Sequence, residues 1–121
     1  MAFQKLLAYQ KAFELAMEIF EISKSFPSEE KFALTDQIRR CSRSVCANIA
    51  EAYRKRIYTK HFISKLTDSD SENSETQVWL EFSESCNYIT KNQKQLLTNK
   101  SSEVGKLINY MINNPEKFSS E

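Results

Sequence analysis

Glycine is almost absent: Gly105 is the only one in 121 residues, and proline is confined to Pro27 and Pro115. Tight hairpins, Gly-rich phosphate loops and multi-turn β-sandwiches draw on those two residue types for their backbone conformations, so the turn chemistry for all three is missing. An all-α chain is what remains. Histidine is down to one residue, His61, which excludes any site needing two imidazoles; the paired Glu-x-x-His pattern of di-iron bundles fails because Tyr58 stands three positions before it. The three cysteines, Cys41, Cys46 and Cys86, are odd in number and lack CxxC spacing. That suits free thiols in a reducing compartment better than disulfides or zinc and points to the cytoplasm. No apolar run approaches the ~20 residues of a membrane span, and the first residues carry no signal-peptide core, so neither secretion nor membrane insertion is expected.

What is present reads as one domain over residues 1–121, an up-down-up-down antiparallel four-helix bundle with helices at about 4–25, 28–56, 59–90 and 92–113. In the first helix Ala8, Ala12, Leu15, Ala16, Ile19 and Ile22 recur at helical spacing, and Phe13, Met17 and Phe20 flank them as a second apolar strip. Such a wide apolar arc is either buried deeply in a small bundle or meets another subunit. The second helix, with Ser28 as its expected N-cap, has a seam of Leu34, Ile38, Cys41, Val45, Asn48 and Ala52 at heptad spacing. A break is expected at 55–58, because Arg56 would otherwise point inward. The third helix carries ten polar residues from Thr67 to Thr76, yet Ser69, Asn73, Thr76 and Leu80 continue the seam of Phe62 and Leu66. A second stripe on it, Val78, Trp79, Phe82, Cys86 and Ile89, implies more than one packing partner. The fourth helix carries Leu96, Leu97, Val104, Leu107, Ile108 and Met111 on one side, and the tail from Glu116 is expected to fray.

Neither sign of charge is in excess, with 17 Lys plus Arg against 16 Asp plus Glu, but the placement is uneven. From residue 39 to 60, seven bases (Arg39, Arg40, Arg43, Arg54, Lys55, Arg56 and Lys60) stand against Glu51 alone, a surplus of +6. From 68 to 84, six acids (Asp68, Asp70, Glu72, Glu75, Glu81 and Glu84) meet no base, a surplus of −6. Arg39, Arg43, Arg54, Lys55, Arg56 and Lys60 are the candidate nucleic-acid-binding residues, since arginine clamps phosphate bidentately, and Tyr53 and Tyr58 lie near enough to stack on bases. The competing reading pairs these arginines with the acidic segment, within one subunit or between subunits, and leaves Arg54 to Arg56 the freest. Asn48 reads as a register-setting polar seam residue with Glu51, Asn73 or Thr76 as partner.

Chemistry is poorly supported. Asp68, Glu72 and Glu75 share a face and make a carboxylate site conceivable with His61, but a surface acidic patch is the commoner fate of such a cluster. A thiolate dyad of Cys41 or Cys46 with His61 has no local support. A non-enzymatic protein with no metal, cofactor, small-molecule substrate or catalytic residue is expected.

The runs Phe26-Pro27-Ser28-Glu29-Glu30, Leu34-Thr35-Asp36-Gln37-Ile38-Arg39-Arg40 and Ser44-Val45-Cys46-Ala47-Asn48-Ile49-Ala50-Glu51 resemble the four-helix bundle proteins encoded in intervening sequences of bacterial large-subunit ribosomal RNA genes. The similarity extends from Leu7-Ala8-Tyr9-Gln10-Lys11-Ala12 to Cys86-Asn87-Tyr88-Ile89. It implies a ribosomal-protein-like bundle, a homopentameric ring, and kinship with the accessory variability determinants of diversity-generating retroelements, whose basic barrel associates with a reverse transcriptase and nucleic acid. The family's Gln-Ile-Arg-Arg and Asn-Ile-Ala-Glu motifs fall on Gln37 to Arg40 and Asn48 to Glu51, which makes Gln37, Arg40, Asn48 and Glu51 the candidate fold- or ring-forming residues. Two departures stand out: Ala52 replaces the usual glycine, and Thr67-Asp68-Ser69-Asp70-Ser71-Glu72 replaces a Gly-Ser pair in apolar surroundings, making the third helix far more acidic. The expected function is a homo-oligomeric scaffold that binds structured RNA, or a nucleic-acid enzyme's complex, through the corner between the second and third helices. The alternative is a protein-interaction scaffold whose charges are consumed by its own assembly.

Overall fold

In the computed structural model, which describes residues 2–119, four helices carry the chain: α1 (Leu7–Ser23), α2 (Leu34–Arg54), α3 (Thr59–Ser85) and α4 (Lys91–Asn113). Consecutive helices are antiparallel. Ser69 Oγ donates to the Val45 carbonyl while Thr76 Oγ1 donates to Cys41 Sγ, and Lys100 pairs with Glu14 and Glu18 while Glu103 lies 3.9 Å from Lys11. Each helix packs on its two sequence neighbours around the bundle, with α4 closing on α1, so α1 and α3 stand on one diagonal and α2 and α4 on the other. No helix among the described residues is long and apolar enough to cross a membrane.

The core has two apolar halves. One gathers Ala8, Ala12, Ile49, Phe62, Leu66 and Ile108; the other gathers Leu15, Ile19, Leu34, Ile38, Leu80 and Leu97. Between them lies a buried polar layer that the unbroken seam of α3 predicts. Asn73 Nδ2 donates to the Ser101 carbonyl at 2.9 Å, Ser101 Oγ returns a bond to Asn73 Oδ1 at 2.9 Å, and Gln77 Nε2 donates to that hydroxyl at 2.9 Å. Every buried polar atom in this trio has a partner, as burial requires. The single glycine belongs here: a Cβ on Gly105 would meet Asn73 Nδ2 at 3.3 Å, so a bare backbone lets α4 approach α3.

The element boundaries depart from the sequence expectation where side-chain chemistry intervenes. Phe3–Lys5 is a separate 3-10 turn, because Leu6 turns extended and is buried before α1 begins. Ser28 does not cap α2; Ser28–Glu30 forms its own 3-10 turn, and Glu30 Oε1 accepts from the Leu34 amide at 3.2 Å instead. The other Glu30 oxygen accepts from Tyr88 Oη at 2.9 Å, tying that loop to the α3–α4 connection. α3 ends at Ser85 rather than 90: Asn87 takes φ 63°, and the Asn87 and Tyr88 amides donate to the Glu84 and Ser83 carbonyls, each at 2.9 Å. This is a Schellman closure with asparagine in the left-handed position glycine usually fills. α4 opens with a capping box that the sequence reading overlooked, Thr90 Oγ1 accepting from the Gln93 amide and Gln93 Oε1 from the Thr90 amide. In the tail, Pro115–Lys117 forms a 3-10 turn and the Phe118 ring lies 6.1 Å from that of Phe62, so this stretch is packed, not frayed; Ser120 and Glu121 lie outside the described residues.

Candidate nucleic-acid interface

The two charged segments meet along the α2–α3 contact, and only part of the basic one is consumed there. Arg40 reaches across to Glu75 at 2.9 Å and Glu72 at 3.4 Å, while Gln37 Oε1 accepts from the same guanidinium at 3.3 Å. Burial works against the Arg40 charge, but the two carboxylates more than offset it and hold the guanidinium above its ordinary value. Arg39 donates to Ser23 Oγ at 2.8 Å and lies 4.8 Å over the Phe20 ring, which Arg43 also faces at 5.7 Å. Lys65 of α3 pairs with Glu51 at 3.1 Å and donates to Asn48 Oδ1 at 3.4 Å. Lys65 lies outside the basic run of residues 39–60, so charge placement along the chain does not single it out.

Asn48 differs from its expected role. It bonds Ser44 and Lys65 rather than Glu51, Asn73 or Thr76, and it is half-buried, while Ile49 beside it is fully buried. A straight helix drifts about 20° per heptad from a 3.5-residue repeat, so by the end of α2 the seam has moved onto Ile49, Ala52 and Tyr53.

At the α2–α3 turn the chain exposes Arg54, Lys55, Ile57, Tyr58, Lys60 and His61 together. Among the described residues no carboxylate pairs with Arg54, Lys55 or Lys60, and the acid nearest in sequence to Arg54 and Lys55, Glu51, is held by Lys65. Lys5 and Lys117, in the terminal turns at this same end of the bundle, are exposed too. Arg56, expected to stay free alongside Arg54 and Lys55, is instead built into the turn. Its guanidinium lies 4.1 Å over the Tyr53 ring and Nη1 donates to the Tyr53 carbonyl at 3.0 Å, satisfying an acceptor at the open end of α2. Tyr53 is buried by the same packing and is not available to stack on a base; Tyr58, 60% exposed and edge-on to His61, is.

The residues considered for chemistry are not brought together. Glu72 and Glu75 serve Arg40, and His61 stands eleven residues earlier on α3, roughly 16 Å away along the helix axis. Among the described residues no group of three or more His, Cys, Asp or Glu side chains is placed to hold a metal ion. Burial pushes the Cys41 and Cys46 thiols up to about 11, which leaves neither a useful nucleophile near neutral pH, and the third free thiol, Cys86, is exposed. Phe32 is an aromatic the sequence reading passed over, since it falls between Glu30 and Leu34 outside any helical period; it is 85% exposed.

Fold and surface together define an up-down four-helix bundle whose distinctive surface is a basic, aromatic corner at one end. The family model of the 23S rRNA-intervening sequence protein matches residues 4–110, and the chain belongs to that ribosomal-protein-like family. Among solved structures, it is similar to a protein of unknown function from the S23 ribosomal protein family of Bacteroides thetaiotaomicron, with 34% identity over 88% of this chain and 96% of that one and a TM-score of 0.81. No curated protein sequence matches it.

Proposed function

We propose that this chain is a non-enzymatic, self-assembling bacterial bundle protein of the cytoplasm that holds structured RNA, free or within a nucleic-acid enzyme's complex, by its α2–α3 corner. One observation carries the reading: Arg54, Lys55 and Lys60 are exposed side by side with no carboxylate partner among the described residues, next to an exposed Tyr58, while Arg39, Arg40, Arg43 and Arg56 are each engaged by a ring or a hydrogen-bond partner. Unpaired surface cations gain most from phosphate, because binding there releases counterions without breaking an internal pair. Arg56 braces the turn that presents them. The family name supports a segment of large-subunit ribosomal RNA as the first ligand to try, and the resemblance supports a ring of five copies.

The test is a fluorescence-anisotropy titration of a structured ribosomal RNA fragment with the natural protein and an Arg54→Ala/Lys55→Ala/Lys60→Ala variant. Affinity that falls in the variant across unrelated RNA sequences supports a phosphate-gripping corner. Absence of binding by the natural protein at low salt rejects it in favour of a protein-interaction scaffold, a reading supported by the charge that Arg40 and Lys65 spend inside the bundle.

A further inference from the structure

Charge explains how the α2–α3 corner would hold phosphate, but not the two large apolar side chains set among its cations. Ile57 and Tyr58 are 66% and 60% exposed, with Arg54 and Lys55 before them in the chain and Lys60 after. The turn that carries them is fixed by its backbone. The Lys55 amide donates to the Ala52 carbonyl at 3.0 Å, the Arg56 amide to the Tyr53 carbonyl at 3.2 Å and the Tyr58 amide to the Lys55 carbonyl at 2.8 Å. The Tyr58 carbonyl then accepts from the amide of Phe62 at 2.9 Å, and the Phe62 side chain is fully buried, so the turn is anchored to the core on its far side. A backbone held this way loses little further freedom when a ligand arrives. His61 stands edge to face with Tyr58, ring centroids 6.1 Å apart and planes at 85°. That geometry covers at most one broad face of the tyrosine and leaves the other open.

We infer that the corner selects RNA through an unpaired base stacked on the open face of Tyr58, with Ile57 covering apolar surface beside it, so its ligand class is a hairpin loop, a bulge or a single-stranded end. The inference rests on the basic-corner reading proposed above and adds to it what the aromatic and apolar side chains are for. In an A-form duplex each base is stacked on its neighbours and the major groove is too narrow for side chains, so continuous duplex offers this turn phosphates and leaves Ile57 and Tyr58 in water. A splayed base offers a flat face for the tyrosine, while the flanking phosphates reach Arg54, Lys55 and Lys60. Stacking tolerates any base, so the selection is for unpaired structure and not for sequence. Charge cannot imitate it. A duplex carries the denser phosphate charge and releases more counterions per contact, so cations alone would favour the duplex.

The test compares a hairpin RNA with a fully paired RNA duplex of equal phosphate number, by fluorescence anisotropy at one salt concentration. Natural protein, Tyr58→Ala and Tyr58→Phe are measured side by side; Tyr58 is exposed, and circular dichroism checks that each variant folds. The natural protein is expected to bind the hairpin about tenfold more tightly than the duplex, the effect of one stacked base. Tyr58→Ala should bring hairpin affinity down to that of the duplex while its salt slope stays, because every cation remains; Tyr58→Phe, which keeps the ring, should retain the preference. A natural protein that binds neither RNA at low salt overturns the inference together with the basic corner. Binding of the duplex as tightly as the hairpin, a hairpin preference that survives in Tyr58→Ala, or one lost equally in Tyr58→Phe overturns the inference alone and leaves the phosphate-gripping corner standing.

Discussion

Replacing Asn73 by alanine removes the centre of the buried polar layer. Its amide gives one hydrogen bond to the Ser101 carbonyl and receives one from the Ser101 hydroxyl, each at 2.9 Å, with Asn73 3% exposed. Two such bonds are worth about 1 kcal/mol each, and the cavity and the partly orphaned Ser101 groups add to that, so Asn73→Ala costs about 2–4 kcal/mol. Gly105 makes the reasoning sharper. Alanine at a helix-interior glycine gains about 1 kcal/mol from backbone propensity. Here the new methyl would stand 3.3 Å from Asn73 Nδ2 and push that amide off its bond, which cancels about that much. Gly105→Ala is therefore expected to be near neutral in the natural protein and to stabilise by about 1 kcal/mol in the Asn73→Ala background. Urea denaturation at one protein concentration, followed by circular dichroism and by the fluorescence of the single tryptophan, Trp79, measures all four corners of this cycle. Asn73→Ala within 0.5 kcal/mol of the natural protein (about the uncertainty of additivity), or equal effects of Gly105→Ala in both backgrounds, would refute the close, hydrogen-bonded crossing of α3 and α4.

Thr90→Ala opens the capping box of α4 and should cost about 1 kcal/mol in the same denaturation assay, with Thr90→Ser retaining most of it. An aromatic disulfide reagent should titrate one thiol, Cys86, in the native protein and all three in urea. The buried thiols also predict an alkaline limb to stability. Cys41 and Cys46 are raised from 9.0 to about 11, so the unfolded chain ionises first; their contribution is intact below pH 9 and is lost as pH climbs through 11, by up to about 3 kcal/mol per thiol. The Cys46→Ala variant should show a shallower decline over that window.

Much of the bundle was legible because helical periodicity survived even where hydrophobicity did not. Ser69, Asn73, Thr76 and Leu80 kept the spacing of Phe62 and Leu66, and all six are buried on one seam. The break at 55–58 was legible from Arg56, whose seam position conflicts with its charge, and the chain does turn there. What escaped depends on three-dimensional partners. Glu30 capping α2 from a separate turn requires the chain to bend at residues 31–33, and Asn87 in place of a C-terminal glycine requires a positive φ that no pattern announces. The candidate site was half legible: its basic run stood out by composition, but which cations are spent was settled by Phe20, Tyr53 and Glu75, side chains whose proximity follows only from packing.

The basic corner is the central claim, and the salt dependence of RNA binding addresses it most directly. Each phosphate neutralised contributes about 0.7 to 0.9 to the slope of log affinity against log salt. Measured on a structured ribosomal RNA fragment, the natural protein should give a steep slope, and the Arg54→Ala/Lys55→Ala/Lys60→Ala variant one shallower by about 2–3. An unchanged slope in the variant, or a natural protein that fails to bind at low salt, would contradict the assignment.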